Sequence, residues 1–224
     1  MKKLCYLFDP VTGEFLGEEN AQHSPMEPGK YLFPEYSTLK APPTPGANEV
    51  AVFDKALDAW GLKSDFRGSA MFDTTTGDAV QISEIGALPA NVASKIPAKV
   101  VLENAKAEKL SALSQECATA IVGGFESSAL GPVHIYASGT IDQANLMAVA
   151  TESMAPENAP SWNRKIWCID SVDGWVVKAH NAVQVRKVLA DFVTHRENCS
   201  AKMRQLSVFV ANAKSIKALD AIVW

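Results

Sequence analysis

Between Gly123 and Leu146, the run GGFESSALGPVHIYASGTIDQANL changes backbone regime several times within 24 residues. An amphipathic pattern ends at Gly123-Gly124, as glycine ends a helix just past its C-terminus. Gly131-Pro132 then separates two short apolar runs, Phe125 to Leu130 and Val133 to Ala137. Ser138, Thr140 or Asp142 supplies the cap for a helix that carries Leu146, Met147, Val149, Ala150 and Met154 and that Pro156 and Pro160 terminate. The stretch predicts helix, strand, turn, strand, helix. It contains no catalytic signature.

The flanks agree with that reading. Residues 99 to 122 recur at helical spacing through Leu102, Ala105, Lys109, Ala112 or Leu113, Cys117, Ala120 and Ile121. Ile166 to Asp170 and Trp175 to Lys178 flank an Asp173-Gly174 hairpin signal. Ala182, Val185, Leu189, Phe192, Arg196, Cys199, Met203, Leu206 and Val210 fall on alternating steps of three and four. An unbroken helix over that seam spans roughly 40 Å. It either packs on its own sheet or makes the chain a homo-oligomer.

The N-terminal half reads differently. Leu4 to Phe8 is a strand-length apolar run, followed by a turn in which Gly13 holds the positive-φ position. Phe8-Asp9-x-x-Thr12-Gly13-Glu14 returns as Phe72-Asp73-x-x-Thr76-Gly77-Asp78, one turn type used twice. Between them, residues 25 to 45 hold six of the twelve prolines, which exclude a regular helix or central strand and predict an extended connector with little sheet of its own. Its aromatics Tyr31, Phe33 and Tyr36 either anchor the connector on its neighbour or face a partner. Beyond it, Val50 to Ile82 alternates in short strands that include Trp60. The fold expected is α+β: a hairpin-rich β module over residues 1–95, with the connector at 25–45, and an α+β domain over 99–224 in which antiparallel hairpins pack on helices.

Charge and cysteine usage remove several function classes. Residues 1 to 98 carry 8 basic and 13 acidic side chains, and residues 99 to 224 carry 13 and 12, so neither half is a polycation suited to nucleic acid. Cys5, Cys117, Cys168 and Cys199 form no CxxC pair and read as buried thiols of a reducing cytoplasm. The N-terminal apolar run stops at Asp9-Pro10, and no targeting or membrane-spanning segment is expected. Metalloprotease, nucleophile-elbow and phosphate-loop motifs are missing from the sequence, and the four histidines are scattered. Cys168 and His180 could meet across a hairpin, although Cys168 alternates with Trp167 and is expected to face a core. No enzyme, cofactor or metal site is expected. The chemistry points to a binding or assembly protein.

Trp60, Asp65-Phe66-Arg67-Gly68, Phe72-Asp73-x-x-Thr76-Gly77 and Ile85-Gly86-x-Leu88-Pro89 resemble the N-terminal region of bacteriophage tail fibre assembly proteins. Cys117, Gly124-Phe125, Ser128-Ala129-Leu130-Gly131, Tyr136, Asp142-Gln143 and Asn145-Leu146 resemble a domain of unassigned function that often follows that region in phage and prophage proteins. The resemblance implies a small cytoplasmic chaperone that binds the C-terminal tip of a phage tail fibre, or of a phage-derived tail-like particle, and promotes its folding, trimerisation and assembly. It also implies that some members stay on the virion's fibre tip and recognise bacterial surface glycans there. Tyr31, Phe33, Tyr36, Trp60, Gln143 and Asn145 are the expected partner-binding residues.

Overall fold

The computed structural model describes residues 3–155, 161–170 and 174–224, in two compact units, Met1–Val101 and Leu102–Trp224. In the first, β1 (Lys3–Phe8) and β2 (Phe15–His23) form an antiparallel hairpin whose register shifts between Leu7 and Phe8. The connector adds β3 (Tyr31–Leu32) to β2 and β4 (Ser37–Thr38) to β1, so the sheet runs β3-β2-β1-β4. Each addition is only two residues long, and Pro34, which has no N–H to extend a ladder, lies between them. A second hairpin joins β5 (Glu49–Asp54) to β6 (Ala59–Ser64). In the third sheet, β7 (Met71–Asp73) lies between β8 (Ala79–Val80) and β9 (Val92–Ala93).

One turn builds this unit three times. Asp9 Oδ1 accepts the N–H groups of Val11 (2.8 Å) and Thr12 (2.7 Å), and Gly13 follows at φ +76°. Asp73 Oδ1 does the same for Thr75 and Thr76, with Gly77 at φ +84°. These N–H bonds hold both carboxyls below the usual aspartate range. The third copy, Phe53-Asp54-x-x-Leu57-Asp58, has Asp58 at φ +48° where the others have glycine, and that substitution hides it from a motif comparison. Phe8 stacks on Phe53 at 4.7 Å, and Trp60 meets Phe8, Phe15 and Phe53 edge-on. The Arg67 guanidinium grips Glu14 with two bonds (3.1 and 2.6 Å) and Asp65 with two more, tying the first turn to the end of β6.

The second unit is a helix-packed meander. α1 (Ala98–Val122) ends at Gly123 and Gly124, the latter at φ +101°. β10 (Phe125–Ser127) and β11 (His134–Tyr136) are shorter than the apolar runs suggested. α2 (Thr140–Glu152) follows. β12 (Asn163–Asp170) and β13 (Gly174–Asn181) complete a four-stranded antiparallel sheet in the order β10-β11-β12-β13. The expected terminators Pro156 and Pro160, and most of the Asp-Gly turn, lie outside the described residues. α3 (Ala182–Asn212) is one helix of 31 residues, entered through a capping box in which Asn181 and Gln184 each accept the other's N–H at 2.9 Å. α4 (Ile216–Asp220) closes the chain.

The length of α3 has a structural use, since the helix serves two cores. Val188 and Phe192 pack on the sheet with Phe125, Tyr136, Leu146 and Cys168. Leu206 and Val210 pack instead with Leu113 of α1, Ala213 and Leu219. The buried seam departs from the sequence pattern in its first half, where Val188 is buried and Leu189 only partly so. Arg196 lies over the Phe192 ring at 6.0 Å, while the adjacent His195 reaches the Ala120 carbonyl at 3.0 Å.

Candidate functional site

The residues singled out from the sequence occupy different surroundings. Tyr31 and Phe33 lie 6.5 Å apart at the β3 edge, under the Lys3 ammonium at 5.7 Å from each ring. Tyr31 also covers His23 at 4.6 Å. Tyr36 is at the other edge, beside β4, where it meets Phe8 edge-on and the Lys55 ammonium at 5.2 Å. Trp60 belongs to the aromatic cluster, and its Nε1–H donates to the Lys40 carbonyl at 2.7 Å, pinning the connector. Leu32 and Phe33 remain exposed on the rim, and among the described residues β2 has ladder partners on its β3 side only at Gln22 and His23. This leaves an apolar rim beside an incompletely paired strand, with a lysine next to it. Such an edge can accept a foreign strand while discouraging its own kind.

In the second unit the Gly123–Leu146 stretch is the junction of the fold. Phe125, Tyr136 and Leu146 are buried in the sheet-side core. Ser138, one of the expected caps, instead clasps the end of α1, where its hydroxyl donates to the Ile121 carbonyl (2.7 Å) and accepts the Gly124 N–H (2.9 Å). Gly139 takes the N-cap position, and Asp142 accepts its N–H at 3.1 Å. Gln143 donates to the Ser138 carbonyl at 2.7 Å, so its amide supports the same junction. Asn145 is exposed and lines a slot of about 180 Å³ with Lys165 and Trp167.

Buried polar groups of this unit are satisfied without a substrate. His180 Nδ1–H donates to the Lys178 carbonyl (2.8 Å), which leaves Nε2 to accept the Tyr136 hydroxyl (2.7 Å). Both nitrogens are thereby used, and none is left to activate Cys168. That thiol is fully buried, and burial pushes its pKa up. Burial likewise raises the Tyr136 phenol above its ordinary range. His134 donates through Nδ1 to the Pro132 carbonyl (2.9 Å) and turns Nε2 toward Lys178 (3.1 Å) and Asp170 (3.3 Å), which form a close ion pair. Ser127 donates to Asp191 at 2.6 Å, and Lys187 pairs with the same carboxylate. Among the described residues, no group of three or more His, Cys, Asp or Glu side chains could hold a metal ion.

Burial also depresses the pKa of His180 below 6.5. A proton bound below pH 6.5 in the unfolded chain is then resisted in the folded one, so stability is fully present above pH 6.5 and is lost as pH falls through the folded pKa. Urea unfolding from pH 7 to pH 5.5 should show the unfolding free energy of this unit falling, by at most about 1.4 kcal/mol per pH unit for one proton. His180→Gln should flatten that slope. An equal slope in wild type and variant would assign the titration elsewhere.

Sequence reasoning did not find the slot, nor the outward tryptophans Trp167 and Trp175, which are 60% and 56% exposed on one face of the sheet. Alternation along β12 gave the only available signal, since Cys168 buried implies Trp167 outward.

Comparison with known proteins then bears on what this arrangement serves. The chain is 43% identical over 81 residues to the "Prophage tail fiber assembly protein homolog TfaR" of Escherichia coli K12, covering 36% of this chain and 40% of that one. It is 44% identical over 80 residues to the "Tail fiber assembly protein" of Escherichia phage lambda, 36% and 39% of the respective lengths. It is 48% identical over 46 residues to "Protein TfaD" of Escherichia coli K12, 20% and 25%. These matches span about two fifths of the length of the first two relatives and a quarter of the third. No solved structure matches the chain. The family model described as "Domain of unknown function (DUF4376)" matches residues 104–223, the junction, sheet and long helix set out above, and the chain belongs to that family.

Proposed function

We propose that the protein is a tail fibre assembly chaperone, which binds the C-terminal tip of a phage or phage-derived fibre and promotes its folding, trimerisation and assembly. The observation that carries this reading is the 43–44% identity to two proteins named for tail fibre assembly. The role is non-enzymatic, and its setting is the cytoplasm of the bacterial host, with retention on the finished fibre as a further expectation. No helix is long and apolar enough to cross a membrane among the described residues. A fibre chain before trimerisation exposes apolar strands with unpaired edges. The rim of the residue 1–95 module offers such strands a partly open β2 edge with Leu32 and Phe33 beside it. Tyr31 packs at that rim against His23 and Phe33, Tyr36 and Trp60 lie elsewhere in the module as further candidate contacts, and the 99–224 domain supplies a second contact.

Co-expression of the neighbouring fibre gene with the full-length chain tests the reading. Wild type should raise the yield of soluble trimeric fibre over an empty vector, and the pair Leu32→Asp/Phe33→Ser should lose most of that gain while the protein itself stays folded. Equal fibre yield with wild type and empty vector sinks the proposal. Binding of a bacterial surface polysaccharide by the purified chain, with no effect on fibre yield, would favour glycan recognition instead.

A further inference from the structure

We infer that the open edge of β2 takes an extended segment that sets a basic side chain against Glu18 and an apolar side chain into the hollow beside Leu32 and Phe33. That the segment belongs to a fibre chain rests on the fibre-assembly reading above. The edge itself rests on ladder geometry. Residues 17–21 have β1 as their only ladder partner among the described residues, because β3 pairs with β2 only at Gln22 and His23. The connector leaves that edge at Phe33 and Pro34, and its next strand, β4, joins the far side of the sheet on β1. An edge of this length is enough for a short extended segment to continue the line of β3.

Where β3 stops, a hollow of about 170 Å³ opens, lined by Glu19, Asn20, Ala21, Gln22, Leu32, Phe33 and Pro34. Leu32 and Phe33 are 52% and 42% exposed there. An apolar side chain of the added segment covers both, and walls with a void on one side gain contacts when such a group enters.

Charge specifies the rest of the partner. Glu18, Glu19 and Asn20 are exposed, and neither glutamate makes an ion pair among the described residues. Being adjacent in a strand, the two carboxylates point to opposite faces of the sheet. Lys3 stands opposite Ala21 and so shares a face with Glu19, its ammonium 5.7 Å from the Tyr31 and Phe33 rings. Set against Glu19, it leaves Glu18 uncompensated. On the face of Glu18, β1 presents Leu4 and Tyr6 and β3 presents Leu32, none of them basic. Lys30, at the start of the same connector strand, is taken up by Glu27. A strand laid on this edge therefore gains from a lysine or arginine opposite Glu18 and loses from an aspartate or glutamate there. The same rule argues against a second copy of this chain. Two β2 edges laid antiparallel over residues 17–21 set carboxylate against carboxylate in their central registers.

Glu18→Lys and Glu18→Gln in the full-length chain test the edge, read as the amount of co-expressed fibre that co-purifies. Glu18→Lys should lower recovery about fivefold or more at low salt, since it turns an attractive cross-strand pair into a repulsive one, and Glu18→Gln about two- to threefold. The advantage of wild type over Glu18→Gln should vanish by about 0.5 M salt, where exposed charges are screened. Unfolding temperatures should match wild type, because the side chain is exposed. If that of Glu18→Lys falls, Glu18→Gln decides through its salt dependence. Wild-type recovery by both variants, or a loss that salt does not change, overturns the charge-selected edge and leaves the fibre-assembly reading standing. No fibre recovery with wild type overturns both.

Discussion

Phe192→Ala is expected to destabilise the second unit by about 3–5 kcal/mol, the usual cost of emptying an aromatic site in a packed core. Phe192 is 3% exposed, and its ring lies 5.3 Å from that of Phe125. It joins α3 to the sheet at the level of Leu146 and Cys168. Truncation opens a space beside the Phe125 ring that Val188 and His195 of α3 only partly border, and Tyr136 cannot move to fill it, since its hydroxyl is fixed to His180 at 2.7 Å. Phe209, on the same helix but 50% exposed, provides the comparison. Phe209→Ala should change stability by no more than about 0.5 kcal/mol. Urea denaturation of the full chain separates the two. A loss below about 1 kcal/mol for Phe192→Ala would mean that the sheet-side core is not assembled around this helix.

In the first unit the largest effect is expected at Gly13. A Cβ placed there would sit 2.5 Å from the Phe53 carbonyl oxygen and 3.1 Å from Val52 Cγ1, at φ +76°. The oxygen belongs to the backbone of β5 and cannot rotate away. The same segment is held by the Phe53 N–H donating to the Gly13 carbonyl at 2.8 Å. Gly13→Ala thus combines a left-handed conformation, about 1–2 kcal/mol for a residue with a Cβ, with an overlap costing about 1–3 kcal/mol. Gly68 separates these contributions, because its φ is +75° and a Cβ there would meet nothing within 4 Å. Gly68→Ala should cost only the conformational part. Equal losses at the two positions would show that contact with Phe53 is not what demands glycine in the first turn.

Much of the architecture was legible because it rests on local chemistry. The Asp-x-x-Thr-Gly turns, the helix stop at Gly123-Gly124 and the seam of α3 each depend on residues a few positions apart. Their physics is that of short hydrogen bonds, positive φ and helical periodicity. The third turn was missed because Asp58 supplies a left-handed conformation that the eye assigns to glycine. The cap of α2 was misplaced among three candidates because Ser138 is claimed by a partner 17 residues away, at Ile121, and no local pattern records such a claim. The candidate partner residues divide in the same way. Trp60 and Gln143 turn out to hold backbone carbonyls, at Lys40 and Ser138. Phe33 and Asn145 are exposed on surfaces.

By itself the sequence determined an α+β chain with a hairpin-rich N-terminal half, and the helix, strand, turn, strand, helix order of residues 123 to 146. It also carried the resemblance to tail fibre assembly proteins. Only the tertiary structure decided that α3 is shared between two cores, that the His180 nitrogens are both occupied, and that β11 and β12 share a single ladder pair. Periodicity states which face of an element is apolar but not how much of it a neighbour covers. A slot is a shortfall of covering, and it arises only where several distant segments fail to meet.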